Sequence, residues 1–137
     1  MTQTYFSSPT NEPLPQELQV FRDNTWTLTV VNRQVEDGAA FDLTDGWHGW
    51  FVMKARDTHS DSNILIEKRT DVAGEGEIVV PATAGTVRFF FERADTRDLK
   101  SGVYFWDSGI FRGTEKITTS KGQLELKQPV LLGDVPA

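Results

Sequence analysis

From Leu18 onward, apolar and polar residues alternate with a period of two, and helical spacing barely appears. Trp26, Leu28 and Val30 fall on one face of a run whose other face carries Thr27 and Thr29. Val87, Phe89 and Phe91 alternate in the same way with Arg88, Phe90 and Glu92. A long strand is expected from Trp47 to Arg56, and shorter ones over Ile64–Lys68 and Glu77–Pro81, the second stopped by its proline. Val103–Phe111, Lys116–Thr119 and Gln123–Gln128 complete the set, with Gly122 letting the last of them bend away. One short helical turn is expected over Arg93–Leu99, ended by Ser101-Gly102. About eight strands joined by short turns, with no helix long enough for a parallel crossover, predict an all-β sandwich.

The first 17 residues stand apart. Ser7 to Pro15 holds three prolines, has little periodicity, and cannot enter a sheet interior. The chain therefore divides into an N-terminal arm, 1–17, and a sandwich, 18–137. The arm is either a frayed tail or an extended segment that docks on a neighbour through Tyr5, Phe6 and Leu14.

Asp98-Leu99-Lys100-Ser101-Gly102-Val103-Tyr104-Phe105-Trp106 has the pattern of the tyrosine corner of immunoglobulin-like domains. There a tyrosine at the start of strand F bonds back to the backbone just upstream. The residue two places on, a disulfide cysteine in antibody domains, is Trp106. Without a disulfide, bulky aromatics must fill the centre, and Trp47 on the C-like strand is the expected partner of Trp106. The fold expected is an immunoglobulin-like antiparallel β-sandwich.

Alternation then assigns faces. On the C-like strand Trp47, Gly49, Phe51, Met53 and Ala55 point inward, and His48, Trp50, Val52, Lys54 and Arg56 point outward. On the F-like strand Tyr104, Trp106, Ser108 and Ile110 point inward, leaving Val103, Phe105 and Asp107 outside. Strands C and F are neighbours in the immunoglobulin arrangement, so Trp50, Val52, Val103 and Phe105, flanked by His48, are expected to form one outer apolar patch. It is either a contact surface or is covered by a loop or the arm.

Composition narrows the function. A chain of 137 residues with 38% hydrophobic residues supports one core, and no apolar run approaches the roughly 20 residues of a spanning helix. No secretory leader is expected from Met1-Thr2-Gln3-Thr4-Tyr5-Phe6. Cysteine is absent, which excludes disulfides and thiolate chemistry and fits folding in a reducing cytoplasm. A net charge of −6 repels phosphate backbones, so nucleic acid is not expected as a partner, and without a spanning run neither is a membrane.

Candidate chemistry is sparse. His48 and His59 have no nucleophile elbow or phosphate loop beside them. Asp57 to Asn63 offers oxygen ligands at alternate positions, but the glycine of a calcium loop is Ser62 and its closing acid is Lys68. No catalytic residue, metal or cofactor is assigned, and the chain is expected not to be an enzyme.

Four segments in order carry a family resemblance. They are Val20 to Trp26, Phe41 to Gly46 followed by a strand ending Lys54-Ala55-Arg56, Ala94 to Asp107, and Gly122 to Leu126. Their succession, over roughly Gln19 to Val130, resembles the immunoglobulin-like domain of tailed-bacteriophage virion proteins, as at the N-terminus of upper-baseplate proteins. The chain departs from it with Lys100-Ser101, where the family often has a proline before the glycine, and with Trp47-His48-Gly49-Trp50. The resemblance implies a non-enzymatic structural subunit of a tail, baseplate or neck, made in the host cytoplasm and present in several copies among other virion proteins. The alternative is a carbohydrate-binding sandwich with Trp50 and Phe105 as a stacking platform. It is disfavoured because only His48 and Lys54 are expected as polar groups beside Trp50.

Overall fold

A computed structural model describes residues 2–6, 17–34, 37–56, 60–131 and 133–136 of the chain. In chain order the strands are β1 (Thr2–Phe6), β2 (Glu17–Phe21), β3 (Trp26–Val31), β4 (His48–Lys54), β5 (Ile66–Arg69), β6 (Gly76–Ile78), β7 (Thr86–Phe91), β8 (Gly102–Arg112) and β9 (Glu115–Lys127). A single α-turn, α1 (Arg93–Arg97), joins β7 to β8. The strands form two sheets, ordered β1-β3-β7-β6 and β2-β9-β8-β4-β5. Within them β3-β7-β6 and β9-β8-β4 reproduce the B-E-D and G-F-C orders of the immunoglobulin arrangement.

The inner pairings are antiparallel, as the alternation predicts. Two edge pairings are not: β1 runs parallel to β3, and β2 runs parallel to β9. Residues 2–6, expected within the arm, thus form an edge strand, and Glu17 opens β2. The expected break at Gly122 is also absent, and β9 runs unbroken from Glu115 to Lys127. Gly122 serves packing instead. A Cβ there would stand 3.1 Å from the Trp106 indole nitrogen, so the missing side chain makes room for that ring.

Aromatic rings fill the space between the sheets. Trp26 stacks on Phe91 with centroids 3.8 Å apart, and Phe51 meets Phe91 edge-on at 5.1 Å. Trp106 stacks on Phe51 at 5.9 Å, which corrects the expected pairing with Trp47. The register explains it. Trp106 lies opposite Met53, next to Phe51 and six residues from Trp47, which is about 20 Å along a strand. Trp47 instead sits half-buried before β4, with the Arg112 guanidinium 4.5 Å from its ring.

The tyrosine corner forms as expected, with Tyr104 Oη donating to the Lys100 carbonyl at 2.5 Å. Burial pushes the phenol above its ordinary pKa. A polar bridge between the sheets was not anticipated. Buried Asn32, just past β3, accepts from Thr119 Oγ1 of β9 at 2.5 Å and donates to the Gly85 carbonyl at 2.9 Å. These bonds satisfy a side chain whose burial would otherwise cost free energy.

Candidate functional site

β4 and β8 are antiparallel neighbours, and their inward residues are as the alternation assigns them. Phe51, Met53, Tyr104, Trp106, Ser108 and Ile110 are all buried. His48, Trp50, Val52, Lys54, Phe105 and Asp107 belong to the opposite, outer set, as does Val103, which is 51% exposed.

The outer set does not make one apolar patch. Trp50 lies opposite Gly109, Val52 opposite Asp107, and Lys54 opposite Phe105. Phe105 therefore reaches Val52 only on the diagonal, in a small notch of about 40 Å³ shared with Lys54 and Asp107. Val103 stands one outer position further along, beside Glu125 of β9. The sequence could not reveal this spacing, because alternation fixes a face but not which rung meets which.

Trp50 points outward yet is only 9% exposed. Opposite the Ser108/Gly109 step β9 carries one extra residue, Thr119, and the ring lies against Gly109, which has no side chain to hold it off. A Cβ on Gly109 would stand 2.0 Å from the Ile117 carbonyl oxygen and 2.9 Å from Trp50 itself. Above the ring, Lys116 of the β8–β9 hairpin places its ammonium 5.1 Å from the centroid.

A groove of about 390 Å³ runs over this surface. Trp50 and Val52 line it, Glu67 and Arg69 of β5 flank it, and Lys116 stands on the hairpin side. Arg69 is held by Asp71 at 2.7 Å and lies 4.8 Å from the Phe111 ring, which His48 also contacts at 5.5 Å. Lys54 is held by Asp61 at 2.7 Å, and its hydrogen bond lowers the Asp61 carboxyl below its usual range. Neither Glu67 nor Lys116 forms an ion pair among the described residues. The buried Trp50 Nε1–H has no hydrogen-bond partner among them either. Among the described residues the groove thus carries Glu67 without an ion pair and Lys116 engaged over the Trp50 ring. Glu67, Arg69, Asp107 and Lys116 also surround Trp50 with more polar groups than the expected His48 and Lys54.

The remaining candidates lie elsewhere. Tyr5 and Phe6 are the register partners of Val30 and Val31 at the edge of the other sheet, away from the groove. Leu14, Asp57 and His59 lie outside the described residues. Lys68, where a calcium loop needs its acid, is buried and ion-paired to Asp95 of α1 at 2.8 Å.

A second cavity, of about 380 Å³, sits at the end of the sandwich around Asp23. The Asp23 carboxylate accepts from Arg93 and Arg97, both at 3.1 Å, and from the Gly133 amide at 3.0 Å. The Arg93 bond leads in drawing its pKa down to about 2. Arg93 also reaches Asp134 at 2.6 Å. The cluster ties the β2–β3 turn to α1 and to the last described segment. Its one sequence signal is Asp23-Asn24 in a turn, where Asp23 takes φ 57°.

No protein-family model matches the chain, and no curated protein does. Solved structures do. The N-terminal domain of phage TP901-1 ORF48 superposes with a TM-score of 0.57 at 14% identity, covering 93% of this chain and 99% of that one. The cysteine protease inhibitor EhICP2 from Entamoeba histolytica gives 0.47 at 11% identity, covering 92% of this chain and 95% of that one. Auracyanin B gives 0.45 at 14% identity, covering 92% and 88%. At these identities the first likeness establishes a shared fold, and the other two fall below a TM-score of 0.5 and carry no argument.

Proposed function

We propose that the chain is a non-enzymatic structural subunit of a bacteriophage virion, an adaptor of the tail, baseplate or neck that works through contacts with other virion proteins. The observation that carries this reading is the end-to-end match to a phage domain, over 93% of this chain and 99% of that one. The order of sequence segments resembling phage immunoglobulin-like domains supports it independently. The groove supports a contact role, since the exposed charges of Glu67 and Lys116, neither in an ion pair among the described residues, stand beside the apolar surface of Trp50 and Val52.

The test reverses the two unpaired charges. Glu67→Lys with Lys116→Glu keeps the net charge at −6, and both residues are exposed. The thermal melt is expected to hold within about 0.5 kcal/mol, while incorporation into particles in a complementation assay is lost. Normal incorporation of a folded variant removes the groove from the interface. Trp50→Asp is a poor probe, because it would place a carboxylate where the ring is 9% exposed.

The polar groups around Trp50 also favour a second reading, a saccharide in the groove. Lys116 covers the ring, so stacking would require that side chain to swing away. Binding on a glycan array that Lys116→Glu alters would favour this reading over the adaptor.

A further inference from the structure

We infer that β1 is an exchangeable strand, and that the edge of β3 is an acceptor for the first strand of a second copy of this chain. The exchange goes beyond the adaptor role, since it requires nothing but copies of the chain.

Three features lead there. First, β1 is the outermost strand of its sheet, and its ladder is a parallel pairing with β3 that runs from Thr2 opposite Thr27 to Phe6 opposite Val31. A parallel edge pairing cannot be closed by a tight hairpin, so it does not depend on the chain segment that leads into it.

Second, the topology leaves the connection far longer than closure requires. β6 packs over β4 and β5, so the opposite edges, β1 and β2, lie over one another. β2 leads through a short turn into β3, and β1 runs parallel to β3. The end of β1 and the start of β2 therefore stand at the same end of the sandwich. The layers of a sandwich lie about 10 Å apart. Residues 7–16 number ten, a contour of about 33 Å. That length serves a neighbouring acceptor as well as the chain's own.

Third, the acceptor is built without β1. Trp26, Leu28 and Val30 of β3 are buried against the core, and β7 pairs β3 along its other edge from Trp26 to Val31. Exchange then preserves every β1–β3 hydrogen bond and alters only whose strand makes it. What decides between the two states is concentration. An arm on a short tether competes at an effective concentration on the order of millimolar. The chain's own strand therefore wins in dilute solution, and a neighbour's strand competes when copies are held side by side, as in a ring.

The natural chain has no cysteine, which makes a covalent test clean. Thr4 is the register partner of Thr29. Two full-length single-cysteine variants, Thr4→Cys and Thr29→Cys, are mixed in a glutathione redox buffer at about 1 mM, near the effective concentration of the tether. Expected is a covalent dimer of twice 15.4 kDa whose cross-linked peptide joins positions 4 and 29. Its yield should exceed at least tenfold that from Thr29→Cys mixed with Asp98→Cys, an exposed control site, and should fall away at micromolar concentration. The double variant Thr4→Cys/Thr29→Cys, oxidised while dilute, should close within one chain and confirm the register. If it closes but the mixed variants give no more 4–29 dimer than the control, exchange is overturned. If it does not close, the β1–β3 ladder is itself wrong, and the inference falls with it.

Discussion

The two outer faces of this sandwich obey the same alternation and end in opposite states. On the four-stranded sheet the outer positions include Thr27, Thr29, Arg88 and Glu77, with Arg88 bonded to Glu77 at 3.0 Å and to Thr29 at 3.4 Å. Its charges answer one another across neighbouring strands. On the five-stranded sheet Trp50, Val52, Phe105 and Phe111 occupy the corresponding positions, and Glu67 and Lys116 beside them have no ionic partner among the described residues. Among the described residues the first face pairs Arg88 with Glu77, and the second holds Lys54 to Asp61 and Arg69 to Asp71 but leaves Glu67 and Lys116 without ion pairs. The four-stranded sheet ends at β1, which covers the edge of β3, whereas the five-stranded sheet carries its groove on its face.

The largest expected effect comes from the floor of the groove. Gly109→Val drives a branched side chain into the Ile117 carbonyl and the Trp50 ring. It should cost about 3 kcal/mol or more, since backbone on β9 has to move. Thr29→Val, at a half-exposed outer position of the other sheet, should change the melt by about 0.5 kcal/mol or less. Paired thermal melts check both, and equal losses would erase the contrast between the faces.

Tyr104→Phe comes next. It removes the bond to the Lys100 carbonyl and should cost about 1–2 kcal/mol by denaturant titration. An unchanged midpoint would mean that this bond contributes nothing to the five-stranded sheet.

Acid acts on both sheets at once, because Asp23 lies in the turn joining β2 of one to β3 of the other. Its folded pKa, about 2, lies below the ordinary 3.8. The charged form therefore stabilises the fold above about pH 4, and that contribution disappears as pH falls toward 2. Asp23→Asn should lower the melting temperature at pH 6, and the gap from the natural chain should narrow on acidification to pH 2. A gap independent of pH would remove Asp23 from the acid response.

The strands from β3 to β8, the tyrosine corner and the inward sets of β4 and β8 were legible because each rests on local spacing, whereas β1 and the unbroken β9 were not. Tyr104 needs only Lys100, four residues away. The Asn32–Thr119 bridge spans 87 residues and Arg93–Asp23 spans 70, so neither leaves a periodic trace. The groove was half legible. Trp50 was assigned to the correct face, but its burial depends on the bare Gly109 opposite it and on the reach of Lys116, which only the β4–β8–β9 register brings together. Trp106 was assigned to the core, but its partner was misread for want of the same register.

A pair of buried indoles gives the sharpest probe of the two faces. Trp50 Nε1 and Trp26 Nε1 are both buried without a partner among the described residues. Trp26 is sealed in the core at 2% exposure, and Trp50 lines the groove. Replacing either by Phe removes an unsatisfied donor, whose burial costs about 1–3 kcal/mol, together with one ring of packing. For Trp26, stacked at 3.8 Å on Phe91, the lost packing should dominate and the protein should weaken. For Trp50, bounded on one side by open groove, the two effects should nearly cancel, leaving the melt within about 1 kcal/mol of the natural chain. Its incorporation into particles should nevertheless fall, because the smaller ring reshapes the apolar floor of the groove that a docked partner would cover. If Trp50→Phe assembles normally, the Trp50 ring takes no part in the contact. If it melts far below the natural chain, the Trp50 ring belongs to the fold, and the two faces are more alike than their charges suggest.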